Sequence, residues 1–347
     1  MKILFAEPPA KRRVGGIETA LAGLSAALIQ GGGEVRRADR LDEAMVASAD
    51  VVHFHGLWEP AHARARRWCQ RLGKPFLVSP HGMLEAWALR HRGWKKLLYF
   101  FLVERPSLSG ASWILATSAE EEMALQRWFS PARLSHLPLG LDTVPVKPYD
   151  QARSAVGVPP DEFVVLFLSR CHEKKGLHLL VKVLPRIARV SPHRLRLLVV
   201  GEGEPSYVVP LRHATAAWAG NLSCTWVGAR WGAEKWDYLA AADIMCLPSF
   251  SENFGLAILE SLFAGTPVLT TTATPWGSLR GPMPVLLIEP AADALEAALR
   301  ERLHAPKPSQ GERQATRDRA IASFNWASLA PRYLALYNQV LLERGGQ

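Results

Sequence analysis

Short apolar runs recur along the chain, each ending in small or polar residues and each separated from the next by a stretch with helical spacing. Lys2–Ala6, Asp50–Gly56, Pro75–Gly82 and Trp113–Ser118 form a first series. Phe163–Leu168, Leu195–Val200, Cys224–Gly228, Asp243–Leu247 and Val268–Thr271 form a second. Apolar runs of this kind read as buried strands, and the helical stretches between them read as crossovers. The pattern predicts an α/β chain with parallel sheets, whose loops at the carboxyl ends of the strands gather into a crevice. A Pro-, Lys- and Asp-bearing stretch, Val144–Asp150, reads as an interdomain linker.

One junction concentrates the chemistry. Pro248 stops the run Asp243–Leu247, a helical pattern opens at Gly255, and Gly265 and Pro267 close it. A strand feeding a loop and then a helix leaves the first helical N–H groups without partners and turns the positive end of the dipole to the loop, which favours an anion. Glu252 sits in that loop. Glu260 lies in the helix, one turn after Leu256 and one turn before Phe263 and Ala264, where it interrupts an apolar stripe. A carboxylate so placed needs donors, either from a neighbouring Lys or Arg or from a ligand.

Two further junctions repeat the arrangement. Lys2–Ala6 leads through Lys11-Arg12-Arg13 to Gly15 and Gly16 ahead of the helical run Ile17–Gln30, and the glycine pair serves either a close backbone approach to phosphate or a tight turn. Phe163–Leu168 leads to Arg170, Lys174, Lys175 and Gly176 ahead of the helix Leu177–Val190. Cations at a helix start oppose its dipole unless an anion joins them, and they are well placed to clamp a diphosphate. His53, His55, His81 and Ser118 fall at strand ends of the first half. The H-x-H pair is expected to point to opposite faces, and no carboxylate accompanies it at ligand spacing, so no metal is expected. His81, next to Gly82, reads as a hydrogen-bonding residue of the crevice or as a structural histidine.

Length and composition add bounds. The 347 residues suggest about two domains. With 48% hydrophobic and 21% charged residues, the composition is that of a globular protein, and no run approaches the ~20 apolar residues of a membrane span. Met1–Ala6 is too short for a signal-peptide core and reads as the first strand, so a cytoplasmic location is expected. The four cysteines, at 69, 171, 224 and 246, lack C-x-x-C spacing and read as reduced thiols. A net charge of +9 favours an anionic partner, whether nucleic acid, membrane surface or phosphorylated substrate. The basic aromatic segment 87–101 fits either a helix lying on an anionic membrane or one packed on the sheet with a solvated basic face.

Taken in order, Gly15-Gly16-Ile17-Glu18, Pro80-His81-Gly82, Leu139-Gly140-Leu141-Asp142, Arg170 with Lys175-Gly176, Gly201-Glu202-Gly203, Val227-Gly228 and Glu252-Asn253-Phe254-Gly255 through Glu260 resemble glycosyltransferase family 4 along nearly the whole chain. The two glutamates match that family's E-x7-E element. Pro80–Leu89 and Thr274-Pro275-Trp276 further resemble bacterial members that build cell-surface polysaccharides such as lipopolysaccharide and exopolysaccharide. Arg280–Leu286 departs from the glycine- and tryptophan-rich segment of those members.

The resemblance implies the GT-B fold, two Rossmann-like domains with parallel sheets facing across a cleft. Residues 1–145 would form the acceptor side and 146–327 the nucleotide-sugar side, with about 328–347 crossing back to the first domain as a closing helix. By the same resemblance Arg170 and Lys175 grip the donor diphosphate and Glu260 accepts hydrogen bonds from the ribose. Glu252 and the backbone of Asn253, Phe254, Gly255 and Leu256 hold the transferred sugar and its phosphate. Gly203 and Val227 face the base, Gly15 and Gly16 complete the phosphate site, and His81 reaches the donor sugar. The implied catalytic set is His81, Arg170, Lys175 and Glu252. The implied reaction moves a sugar from a UDP- or GDP-sugar to a hydroxyl of a glycan or lipid-linked glycan, with retention and an α-linkage. No D-x-D pair occurs, so neither metal nor other cofactor is expected, and Arg170, Lys175 and a helix amino terminus would stabilise the leaving group. The protein would be cytoplasmic, or peripheral on the inner face of the membrane if the 87–101 segment binds there.

Rival functions draw on fewer features. A non-catalytic nucleotide-sugar binder would not need Arg170, Lys175, Glu252 and Glu260 together. A nicotinamide dehydrogenase would also use two Rossmann units, but no G-x-G-x-x-G follows any strand. Nucleic-acid binding would use the positive charge, yet no recognised module is present.

Overall fold

The computed structural model describes residues 1–9, 15–85, 87 and 93–345. The Lys11–Arg13 loop and residues 88–92 of the basic aromatic segment lie outside the described residues. The chain falls into two compact units, Met1–Asp142 with Phe324–Gln347, and Thr143–Ser323.

In the first unit, strands Lys2–Ala6 (β1), Glu34–Ala38 (β2), Val51–His55 (β3), Phe76–Ser79 (β4), Trp113–Ala116 (β5) and Leu134–His136 (β6) pair in the order β2-β1-β3-β4-β5-β6, all parallel. In the second, Glu162–Leu168 (β7), Arg194–Val200 (β8), Leu222–Gly228 (β9), Ile244–Leu247 (β10), Val268–Thr271 (β11) and Val285–Ile288 (β12) pair in the order β12-β11-β10-β7-β8-β9, again all parallel. Each unit is thus Rossmann-like.

Central strands such as β3 and β4 are buried along their whole length, as parallel strands covered by helices on both faces must be. The short edge strands β6 and β12 escape the sequence pattern. β6 is only three residues and carries Ser135 and His136, while β12 is partly exposed, because an edge lacks the second neighbour that would demand an apolar run.

The strand order reverses between β1 and β3 in one unit and between β7 and β10 in the other. At such a switch point the loops leave in opposite directions and open a crevice beyond the carboxyl ends of the strands. Register there is set by Ile244 opposite Val165 and Met245 opposite Leu166.

The stretch read as a linker ends sooner than expected, since Tyr149 and Asp150 begin the helix Tyr149–Ala155. The cause is buried Asp243, which needs donors. It receives the Tyr149 hydroxyl at 2.6 Å, the Val164 amide at 2.7 Å and Arg153 at 3.2 Å.

The closing helix Trp326–Gly345 packs on Gly15–Gln30 within the first unit. A Cβ at Gly23 would lie 2.4 Å from the Trp326 Nε1, so only glycine admits this approach. Tyr333 donates to the carbonyls of Leu137 and Pro138 at 3.3 and 3.2 Å, which ties the helix to the exit of β6.

Candidate functional site

In the second unit the loops after β7, β8 and β10 interlock. The Phe250 amide donates to the Lys174 carbonyl at 2.8 Å, and the Cys171 amide donates to the Glu202 carbonyl at 2.8 Å. A Cβ at Gly203 would stand 1.8 Å from the Cys171 oxygen, so the two loops meet backbone to backbone. Val227 lies near the end of β9, where the Gly228 carbonyl accepts from the Gly201 amide at 3.0 Å.

Lys175 closes a short 3-10 turn, Glu173–Lys175, and donates to Glu252 Oε1 at 2.5 Å; Ser249 donates to the same oxygen at 2.8 Å. The Glu252 amide donates to the Ala273 carbonyl at 3.2 Å, fixing the loop from the other side. Arg170 is exposed and makes no hydrogen bond or ion pair among the described residues.

Gly255 stands at φ 79°, a left-handed conformation that glycine adopts without strain, and from it the helix Leu256–Phe263 starts. Buried Trp276 donates through Nε1 to the Phe254 carbonyl at 2.8 Å and so pins Asn253–Gly255. The Asn253 side-chain oxygen is buried without a partner among the described residues. On the helix, Glu260 Oε1 accepts from Lys235 Nζ at 2.7 Å. Both carboxylates are therefore countered by lysines, and both pairs are largely desolvated, with side-chain exposures of 14% and 8% for Lys175 and Glu252 and 13% and 8% for Lys235 and Glu260. A desolvated pair of this kind is a weak source of net stability, but losing one partner strands a charge.

In the first unit, Gly15 and Gly16 open the helix that follows β1, and His81 follows β4. His81 has φ 52° and Gly82 φ 73°, a turn that a bulky residue adopts only when its surroundings enforce it. Glu121 does the enforcing. Its two oxygens accept the Gly82 amide at 2.6 Å and the Thr117 amide and hydroxyl at 2.8 and 2.9 Å. Burial pushes the Glu121 carboxyl above its ordinary range, against the pull of those donors. Ser118 caps the helix Ala119–Leu125 that carries Glu121, by accepting from the Glu121 amide at 3.1 Å.

The expectation that His53 and His55 face apart is wrong. Residues two apart on a strand share a face, and the two rings lie 4.1 Å apart at their centroids. His55 Nδ1 is 3.2 Å from His81 Nε2, and His53 lies 2.8 Å from the Tyr337 hydroxyl and 2.9 Å from that of Ser79. Burial lowers His53 to about 3, His81 to about 4 and His55 well below its ordinary value, so all three are neutral imidazoles near pH 7. They adjoin a cavity of about 10 Å³, room for about one water. Among the described residues no group of three or more His, Cys, Asp or Glu side chains is arranged to hold a metal ion.

Arg170, Lys175, Gly203, Val227, Glu252, Asn253, Phe254, Gly255, Leu256 and Glu260 thus belong to one unit, at the carboxyl side of one sheet or on the helix that starts there. Gly15, Gly16 and His81 belong to the other. Sequence reasoning missed Lys235 and Ser249 as partners of the two glutamates, and Glu121 and Tyr337 as supports of the histidines. Lys235 carried a faint signal, a cation in the helix just ahead of β10; Tyr337 carried none.

Two family models match the chain, "Glycosyl transferase 4-like domain" over residues 5–140 and "Glycosyl transferases group 1" over residues 149–320. A D-inositol 3-phosphate glycosyltransferase of Segniliparus rotundus is 31% identical over 231 residues, which make up 62% of this chain and 49% of that protein. One from Stackebrandtia nassauensis is 28% identical over 316 residues, 85% of this chain and 69% of its own. The chain therefore spans about half the length of the first relative and about two thirds of the second. Among solved structures, HepE of Anabaena in complex with UDP matches with a TM-score of 0.77 at 17% identity, covering 98% of this chain and 100% of that one. Sucrose-phosphate synthase from Thermosynechococcus elongatus matches with a TM-score of 0.73 at 20% identity, covering 99% and 100%. At such identities the likeness shows the fold.

Proposed function

Because the chain belongs to the glycosyl transferase group 1 family, with a glycosyl transferase 4-like domain ahead of that region, we propose that it transfers a sugar from a nucleoside-diphosphate donor to a hydroxyl of a glycan or lipid-linked glycan. The reaction retains the anomeric configuration, forms an α-linkage and serves cell-surface polysaccharide synthesis. The observation that carries this is the Lys175–Glu252 pair at 2.5 Å, set at the switch point of the second unit just ahead of a helix start.

In this mechanism the arriving diphosphate draws Lys175 away from Glu252 and recruits exposed Arg170. Two cations and the amino end of the helix then oppose the charge that grows on the leaving phosphate, without a metal. Glu252, released, accepts hydrogen bonds from the transferred sugar, with the backbone of Asn253, Phe254, Gly255 and Leu256 around it. Glu260 takes the ribose hydroxyls, Gly203 and Val227 face the base, Gly15 and Gly16 complete the phosphate contacts, and neutral His81 offers a nitrogen to the donor sugar. A leaving phosphate oxygen takes the proton of the acceptor hydroxyl. HepE is solved with UDP and with UDP-glucose, which supports a nucleoside-diphosphate sugar as the donor class.

Trp94, Leu98, Phe101 and Leu102 are exposed beside Lys95, Lys96 and Arg105, which supports docking of a lipid-linked acceptor at an anionic membrane surface. Failure to bind anionic liposomes would remove that part alone.

The deciding experiment incubates the protein with UDP- and GDP-hexoses and candidate acceptors, with and without EDTA, and reads the product by anomeric NMR. An α-linked product formed equally in EDTA is expected. An inverted product overturns retention, and donor binding without transfer or hydrolysis turns the protein into a nucleotide-sugar binder.

A further inference from the structure

We infer that Lys235 is a positioning residue for the donor, holding the Glu260 carboxylate oriented so that it accepts hydrogen bonds from the ribose. The inference rests on the assignment of Glu260 to the ribose made above, and deepens it by naming what holds that carboxylate in place.

Lys235 is the second residue of the helix Glu234–Ala241, which packs beside Leu256–Phe263, and its ammonium reaches Glu260 Oε1 at 2.7 Å with both side chains nearly buried. Glu260 Oε2 takes no hydrogen bond among the described residues, so one oxygen is anchored and the other is left for a ligand.

The surrounding charges are otherwise engaged. On the helix of Lys235, Glu234 pairs with Arg230 at 3.5 Å and Asp237 with Lys147 at 2.6 Å. Strands β10 and β11 and the rest of the Leu256–Phe263 helix carry no charged side chain. Arg317 reaches the Phe263 carbonyl at the far end of the helix, and Arg313 donates to Thr266 and to the Ala242 carbonyl. Among the described residues Lys235 is thus the cation that faces Glu260.

The Lys235 ammonium anchors one oxygen of this nearly buried carboxylate and fixes its rotamer, so the free oxygen is presented to a vicinal diol before the nucleotide arrives. Without Lys235 the carboxylate loses its charge partner and its anchored orientation.

The test is equilibrium binding of UDP, GDP and their 2′,3′-dideoxy counterparts to wild type, Lys235→Met, Lys235→Arg and Glu260→Ala. Wild type is expected to prefer the ribose nucleotide roughly 10-fold or more, as hydrogen bonds to a charged acceptor allow. In Lys235→Met the preference should collapse while affinity for the dideoxy nucleotides stays, and Lys235→Arg should keep it. If Lys235→Met does not fold, Lys235→Gln takes its place under the same criteria. A preference in the Met or Gln variant as large as in wild type overturns the role of Lys235 and leaves Glu260 in place. No ribose preference in wild type, or its survival in Glu260→Ala, overturns the assignment of Glu260 itself.

Discussion

On β3 and around the end of β4 the first unit gathers three neutral imidazoles, the Ser79 hydroxyl and a carboxyl wrapped by Gly82 and Thr117, whereas beyond β7 and β10 the second unit gathers two lysine–glutamate pairs and an exposed Arg170. Both sheets are six-stranded and parallel, and they differ in where the strand order turns back. What separates the two crevices is how their polar groups are satisfied. The first ties its polar groups to one another within the unit, with His55 Nε2 and His81 Nδ1 left unpartnered among the described residues, and burial strips its histidines of charge. The second holds its charges in lysine–glutamate pairs, of which Lys175–Glu252 is the one proposed to open for a ligand. A neutral, preset crevice suits the recognition of hydroxyls, and a charged, exchangeable one suits a leaving diphosphate.

The contrast is broken most directly at Lys175. Lys175→Ala should remove about 2.7–4 kcal/mol of transition-state stabilisation, roughly 10²–10³ in kcat, by analogy with lost oxyanion donors. Initial rates at saturating donor read this, alongside His55→Asn, which should lose less than about tenfold if it acts only through His81. Equal losses in both variants would erase the distinction between the crevices.

A different effect, on stability rather than on turnover, is expected at Glu121. Glu121→Ala strands the Gly82 amide and the amide and hydroxyl of Thr117, at about 1–3 kcal/mol for each group left unpaired. Urea unfolding should show the loss, while UDP binding by the folded variant falls far less than in Lys175→Ala, because the cations proposed for the diphosphate lie in the other unit. UDP binding weakened as much as in Lys175→Ala would count against the division.

The smallest signal is in acid. Above pH 6.5 the buried histidines contribute their full stability as neutral groups; as pH falls from there, the unfolded chain takes up protons that the folded one refuses until about 4 for His81 and about 3 for His53. Stability should therefore decline through that window, by at most about 1.4 kcal/mol per pH unit per histidine. Unfolding midpoints of wild type and His53→Asn between pH 7.5 and 5 test it, the variant showing the shallower slope. Parallel slopes would mean that His53 titrates alike in both states.

Much of this was legible in the chain. The alternation of buried runs and helices, the two junctions with Arg170, Lys175 and Gly176 and with Glu252 through Gly255, and the interruption of an apolar stripe by Glu260 are all local patterns, set within one or two turns or a few strand residues. Such patterns are written into the sequence because each residue's face follows from its own spacing. The shared face of His53 and His55 belongs here too, since a spacing of two on a strand dictates it.

The tertiary structure decided who meets whom. Lys175 and Glu252 are 77 residues apart, Lys235 and Glu260 are 25 apart, and His53 finds Tyr337 across 284. No local period encodes these partners. They follow from the β7–β10 pairing, which places two loops side by side, from the packing of one helix on the next, and from the return of the closing helix onto the first unit. Loop-closure entropy rises only slowly with chain separation, so distant partners cost little more than near ones, and the packing of the core selects among them.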